Sequence, residues 1–203
     1  MITTLIFDFG DVFINLDKQG AMQNALKLFN LKHFSEKMLD INETYEQGFI
    51  STDEFLEFYK QTFPELSKKD IIDAWNFIIK DFPEHRLQWI KKLSQEQRFK
   101  LILLSNTNAL HIDYIKAHVD FYEDFKSCFD VFYLSHEIGY RKPNATTYQF
   151  VLNDNHLIPN ECLFIDDTKE NTDMASTLGI HVWKNDPEKD DIINLFSVKR
   201  DLF

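Results

Sequence analysis

The stretch Leu5-Ile6-Phe7-Asp8-Phe9-Gly10-Asp11 decides the fold. Leu5–Phe9 is an apolar run closed by acids, the pattern of a strand covered on both faces of a parallel sheet. Four further runs repeat it: Leu101–Leu104, Val131–Leu134, Leu163–Ile165 and a weaker one at His181–Trp183. Helical patterns fill the later spacers. One covers Asn108 to about Phe125. Another opens at Pro143, a favoured first helical residue, and reaches about Asn155. A third runs from about Thr168 to Leu178, with Gly179 suited to the position past its end. This alternation predicts an α/β fold built on a Rossmann-like, doubly wound parallel sheet.

One interval breaks the rhythm. A βαβ unit takes about 30 residues, yet no convincing strand lies between Phe9 and Leu101. The interval reads as helices. Ala21, Ala25, Leu28 and Phe29 form one apolar stripe. Ser51-Thr52-Asp53-Glu54 is a capping-box start followed by Phe55, Phe58 and Tyr59, and Ser67-Lys68-Lys69-Asp70 is another, followed by Ile71, Trp75, Ile78 and Ile79. The expectation is a core of residues 1–16 and 83–203, with a helical domain over 17–82 inserted after the first strand and His85–Leu93 returning to the core as a helix.

Composition sets the outer limits. The chain has 203 residues, 44% of them hydrophobic with 20 Phe, enough for a packed core and too many for a disordered chain. Asp and Glu number 33 against 22 Lys and Arg, a net charge of −11, which argues against nucleic acid and anionic membrane as partners. Cys128 and Cys162 are too few for a disulfide scaffold, and Cys162 reads as a buried thiol. No stretch approaches the ~20 apolar residues of a membrane span, and Met1-Ile2-Thr3-Thr4 carries no leader signature. The expectation is a cytoplasmic monomer or small homo-oligomer.

Ligands of open α/β sheets bind beyond the carboxyl ends of the strands. Those ends carry Asp8-Phe9-Gly10-Asp11, Ser105-Asn106-Thr107-Asn108, Gly139-Tyr140-Arg141-Lys142-Pro143 and Asp166-Asp167-Thr168. Taken singly, Asp8 or Ser105 reads as a helix cap and Lys142 as a surface charge. Together they place three carboxylates, a hydroxyl and an ammonium on one edge, and the adjacent acids Asp166-Asp167 repel unless a cation relieves them. Mg²⁺ prefers oxygen ligands and often shares them with substrate phosphate; Asp8 and Asp167 suit that role. A carboxylate can attack phosphorus. Lys142 would neutralise the phosphoryl oxygens, and Ser105 with the N–H groups of the following helix would hold them.

The four motifs Leu5–Gly10, Leu103-Leu104-Ser105-Asn106-Thr107, Arg141-Lys142-Pro143 and Phe164-Ile165-Asp166-Asp167, with Asn171 beyond, resemble those of the haloacid dehalogenase-like hydrolases, in order and over essentially the whole chain. The segments Tyr45–Glu54, Ser105–His111 and Ser135–Tyr148 are similar to the subgroup containing bacterial α-D-glucose-1-phosphate phosphatase. The resemblance implies a Mg²⁺-dependent phosphomonoesterase with a helical cap, acting on a small phosphorylated metabolite through an aspartyl-phosphate. Asp8 would be nucleophile and metal ligand. Gly10 would offer its carbonyl to the metal, Ser105 with the Asn106 amide would hold the phosphoryl group, and Lys142 would clamp the charge. Asp167 would ligate the metal directly, with Asp166 and Asn171 behind it or acting through water.

The match departs from the family at Gly10, where its phosphatases usually carry an Asp that protonates the leaving oxygen. Losing such help typically costs about 10²–10⁴-fold in rate. Three outcomes stay open: slow turnover, an easier leaving group such as a sugar 1-phosphate, or a proton from elsewhere; the similar subgroup also has glycine here. A phosphometabolite-binding protein without turnover is the alternative, and a dehalogenase a minor one that the Asp166-Asp167 pair opposes. Asp11 is expected at the surface or in a cap, because a continuing strand would point it away from Asp8. Tyr45-Glu46-Gln47 is expected as a loop facing the site. Phe49, Trp75 and Phe77 are expected in the core of the insert, and His111 and His118 in surface or packing roles.

Overall fold

The computed structural model describes residues 1–203. Five strands, β1 (Thr4–Phe7), β2 (Lys100–Ser105), β3 (Val131–Leu134), β4 (Cys162–Asp166) and β5 (His181–Lys184), form one all-parallel sheet in the order β3-β2-β1-β4-β5. Phe7 of the central strand lies beside Leu103 and Ile165. Leu5, Phe7, Leu101, Leu103, Leu163 and Ile165 face one apolar cluster, whereas Ile6, Ile102, Leu104 and Phe164 face another. This burial on both faces is why the strands read as unbroken apolar runs.

Four helices follow β1 and form the insert: α1 (Lys18–Leu28), α2 (Glu36–Glu46), α3 (Thr52–Thr62) and α4 (Lys68–Asn76). The capping boxes expected at Ser51 and Ser67 are both formed, each hydroxyl accepting the N–H three residues on while that residue's carboxylate takes the serine N–H. The four helices share their own core around Phe29, Tyr45, Phe55, Tyr59 and Ile71. Then come α5 (Glu84–Glu96), α6 (Ala109–His118) and α7 (Tyr122–Lys126) on the Phe7 face, α8 (Ser135–Ile138) at the end of β3, and α9 (Ala145–Asp154) with α10 (Lys169–Thr177) on the Ile6 face. No helix is long and apolar enough to cross a membrane.

The structure differs from the sequence reading in several places. The helix expected over Asn108–Phe125 is two, because the chain leaves helical geometry at the β-branched Val119. Pro143 lies outside α9, whose N-cap is Asn144. The first strand stops at Phe7, since the chain then folds back: Phe13 and Ile14 both donate to the Phe9 carbonyl, and Asp11 takes a left-handed φ of 55°. Helix α2 has no counterpart in the reading, so Tyr45 and Glu46 belong to its last turn and not to a loop. Its signal was present, with Ser35 as N-cap and Met38 and Tyr45 seven apart on the buried face. Trp75 packs in the insert as expected, but Phe49 and Phe77 are exposed.

Phe125 is fully buried, with the rings of Phe9, Phe13, Phe82 and Phe129 at centroid distances of 5.2, 4.9, 4.9 and 5.0 Å. It packs directly beneath the turn after β1. Phe125→Ala is expected to cost about 3–5 kcal/mol of stability, read from urea unfolding. A loss below about 1 kcal/mol would show that this cluster closes over the cavity.

Candidate active site

The strand order reverses between β1 and β4, and a crevice opens beyond their carboxyl ends. Asp8 follows β1, and its N–H is bonded to the Ile165 carbonyl at 2.8 Å. Asp166 ends β4 and Ser105 ends β2. Lys142 reaches into the same place from the segment between α8 and α9. Its buried ammonium stands 3.0 Å from Asp8 Oδ1 and 2.6 Å from Asp166 Oδ2. Asp8 Oδ1 also accepts the Phe9 N–H at 2.7 Å, which leaves Oδ2 without a protein partner. Ser105 is buried and its hydroxyl makes no bond within the protein.

Polar side chains fasten each loop. Asn106 holds the Lys142 backbone at both ends, donating to its carbonyl at 2.8 Å and accepting its N–H at 2.9 Å. Thr147 donates to the Arg141 carbonyl. The Ser135 hydroxyl binds both the N–H and the carbonyl of Thr107. Asp166 is saturated: besides Lys142, its oxygens take Thr168 N–H at 2.8 Å and Asn171 Nδ2 at 3.0 Å. Asp167 is more open and receives Lys18 Nζ at 2.5 Å.

Carboxylate oxygens of Asp8, Asp166 and Asp167 all lie within 4.8 Å of one another. Burial raises the Asp8 carboxyl above its ordinary pKa; Lys142 opposes the rise and the two neighbouring acids add to it. Burial likewise raises Asp167 against the pull of Lys18. For Lys142 burial acts downward, but Asp166 and Asp8 more than offset it. With Asp11, four carboxylates face two ammoniums, Lys142 and Lys18. The excess of two negative charges matches one divalent cation, and an all-oxygen donor set suits a hard one such as Mg²⁺. The residues present therefore fit Mg²⁺, with Asp8 and Asp167 as the carboxylates that have oxygens to offer.

Gly10 lines the crevice, with the end of the Leu16 side chain resting against it. A Cβ built there falls 2.6 Å from Leu16 Cδ1. Asp11 is buried rather than at the surface, because the left-handed turn redirects it. Its Oδ1 accepts Leu16 N–H at 2.9 Å, its Oδ2 meets Lys18 Nζ at 2.9 Å, and its carbonyl takes Asn185 Nδ2. Lys18, the first residue of α1, thus ties the insert to both Asp11 and Asp167. Burial lowers its pKa, but hydrogen bonds to the two carboxylates outweigh that and the net shift is upward.

The crevice encloses about 200 Å³ and is closed on the far side by the insert, with Lys18, Glu46 and Ile78 on its wall. Glu46 faces it from the end of α2, tied to Arg141 Nε at 2.7 Å. Gly48, at φ 70°, lets this edge seat against the core; a Cβ there would lie 1.9 Å from the His136 carbonyl oxygen. His111 does more than fill space. Burial lowers its pKa to about 4, so the neutral ring donates Nε2–H to the Trp75 carbonyl at 3.0 Å and accepts Asn108 Nδ2 at Nδ1. His118 is exposed and stacks on Tyr114.

The chain matches the family described as haloacid dehalogenase-like hydrolase over residues 2–179. It is 28% identical to a D-ribitol-5-phosphate phosphatase of Bacteroides thetaiotaomicron, covering 91% of this chain and 92% of that protein. A HAD family enzyme of B. thetaiotaomicron, solved with magnesium and inorganic phosphate, superposes with a TM-score of 0.80 at 30% identity, covering 94% of this chain and 97% of that one. A HAD-like hydrolase of Porphyromonas gingivalis gives a TM-score of 0.79 at 27% identity, covering 100% and 98%.

Lys142→Met removes the buried cation and leaves Asp8 and Asp166 facing each other unpaired. Breaking a buried pair from one side costs about 3–5 kcal/mol, and Mg²⁺ is expected to return part of that by binding the excess charge. Urea unfolding in EDTA and in Mg²⁺ checks both; a stability unchanged in EDTA would mean the ammonium does not hold this edge together.

Proposed function

The chain belongs to the haloacid dehalogenase-like hydrolases and is a phosphatase of that family, and we propose that it hydrolyses a small phosphorylated polyol or sugar through an aspartyl-phosphate on Asp8. One observation carries the reading: Asp8 lines the crevice beneath the insert with Oδ2 unpartnered, while its sister oxygen is fixed by Phe9 N–H and Lys142. A carboxylate held that way is a placed nucleophile. Ser105 Oγ, free of internal bonds, would hold the phosphoryl oxygens, with the N–H groups of Asn106 and of the α6 N-terminus beside it. Lys142 would neutralise the phosphoryl charge. Mg²⁺, held by Asp8, Asp167 and the Gly10 carbonyl, supplies further charge neutralisation when bound. Asp166, saturated by Lys142, Asn171 and Thr168, would orient the lysine and not ligate directly.

The insert would act as a cap that excludes water and reads the leaving group. The volume of about 200 Å³ suits a small substrate. Glu46 offers an acceptor to hydroxyl groups, and the D-ribitol-5-phosphate phosphatase relative supports a polyol or sugar phosphate. Glucose 1-phosphate is a narrower choice within that class. The rival reading, a phosphometabolite binder without turnover, rests on Gly10.

Phosphate release from sugar 1-phosphates, ribitol 5-phosphate and p-nitrophenyl phosphate tests this. Release is expected with Mg²⁺ and not with EDTA, and Asp8→Asn is expected to lower kcat at least about 10³-fold with the fold intact. No release from any ester by a protein that still binds Mg²⁺ and phosphate would favour the binder; an Asp8→Asn variant with unchanged kcat would remove the aspartyl-phosphate.

A further inference from the structure

We propose that the Lys18 ammonium binds the leaving oxygen of the substrate and stabilises its developing charge, the task for which residue 10 has no side chain; the inference rests on the phosphatase reading above. Phosphoryl transfer places the attacking and leaving oxygens roughly in line. With Asp8 attacking, the leaving oxygen faces the insert.

The ionisable side chains on the crevice wall are Asp8, Lys18, Glu46, His111 and Asp167. Asp8 is the nucleophile and Asp167 belongs to the acid edge. Both ring nitrogens of His111 are engaged, one to the Trp75 carbonyl and one to Asn108. Glu46 is a carboxylate tied to Arg141 and offers no N–H. Lys18 alone presents a cationic donor on the insert side. An ammonium has three N–H groups; Asp11 at 2.9 Å and Asp167 at 2.5 Å engage two, and the third remains for a ligand. Asp11 directly follows Gly10 and is itself anchored through Leu16 N–H and Asn185, so the ammonium is placed before substrate arrives. Donors fixed in advance on a developing oxyanion are the ones that lower a barrier.

The chemistry balances without a proton from Lys18. An Asp8 carboxylate oxygen bonds to phosphorus as the bond from phosphorus to the leaving oxygen breaks. The electron pair stays on the leaving oxygen, which takes a proton from water while bonded to the ammonium, and Lys18 keeps its charge. The Lys18 side chain is 49% exposed, so that water has a path. Water oxygen then bonds to phosphorus, the bond to the Asp8 oxygen breaks, the carboxylate returns, and the water proton leaves to solvent.

The test is dependence on the leaving group. Lys18→Met is expected to lower kcat/KM on ribitol 5-phosphate by about 10–100-fold. The loss on p-nitrophenyl phosphate, whose leaving oxygen needs little help, should be at least about tenfold smaller. Lys18→Arg is expected to restore most of the difference, because it keeps the charge and the donors. Mg²⁺ binding by calorimetry should be as tight in Lys18→Met as in the wild type, or tighter. Equal losses on both esters, no loss on ribitol 5-phosphate, or weakened Mg²⁺ binding would each overturn the role of Lys18. A wild-type protein that hydrolyses neither ester would overturn the phosphatase reading instead, and this role with it.

Discussion

A single ammonium with no exposed surface, that of Lys142, sits between two carboxylates from different strands. Burying a charge is costly unless it is paired and fully bonded, so this group dictates its surroundings. β1 and β4 must end side by side to present Asp8 and Asp166. Asn106 must pin the lysine backbone from β2, and Asn171 and Thr168 must complete Asp166 from α10. Four separate segments are thereby fixed around one point. The same charge that stabilises this meeting of strand ends stands 3.0 Å from Asp8, which borders the crevice where a phosphoryl group would sit, so structural and chemical demands fall on neighbouring atoms.

Much of this was legible because strand ends can be read. Unbroken apolar runs announce a sheet covered on both faces, and the residue that stops each run lies on the ligand-binding edge. Asp8, Ser105, Asp166 and Asp167 were found that way and Lys142 by its place in the segment beyond the third run, and the structure brings all five together. Helices α3 and α4 were legible through caps whose partners lie only three residues away. What stayed hidden depends on distant pairing or on a single backbone angle. Lys18 meets Asp167 across 149 residues of sequence, and nothing local marks it. Asp11 turns inward because of one left-handed φ, a conformation that Asp adopts more readily than most residues but that no local pattern marks. Phe49 and Phe77 show the reverse limit, since large apolar side chains are often left on the surface.

Gly10 acquires a physical context. The end of the flexible Leu16 side chain rests beside it, and a larger residue there would need that side chain to turn aside. The turn that carries Gly10 also redirects Asp11 toward Lys18. Asp11 is thereby paired with a cation and takes no open place in the crevice.

The nine-residue core of the insert shares no buried residue with the two clusters that sandwich the sheet. Leu110 of α6 packs on the insert's core, and beside it polar bonds cross between insert and core: His111 to the Trp75 carbonyl, Glu46 to Arg141, Tyr45 to the Leu110 N–H, Lys18 to two acids. Such bonds exchange readily with water, whereas a shared apolar core would not. Separate apolar cores joined this way would let α1–α4 open and reclose as a unit while the sheet stays intact. A substrate that touches both units joins them, so the protection of amides in α1–α4 against hydrogen exchange becomes a direct gauge of occupancy.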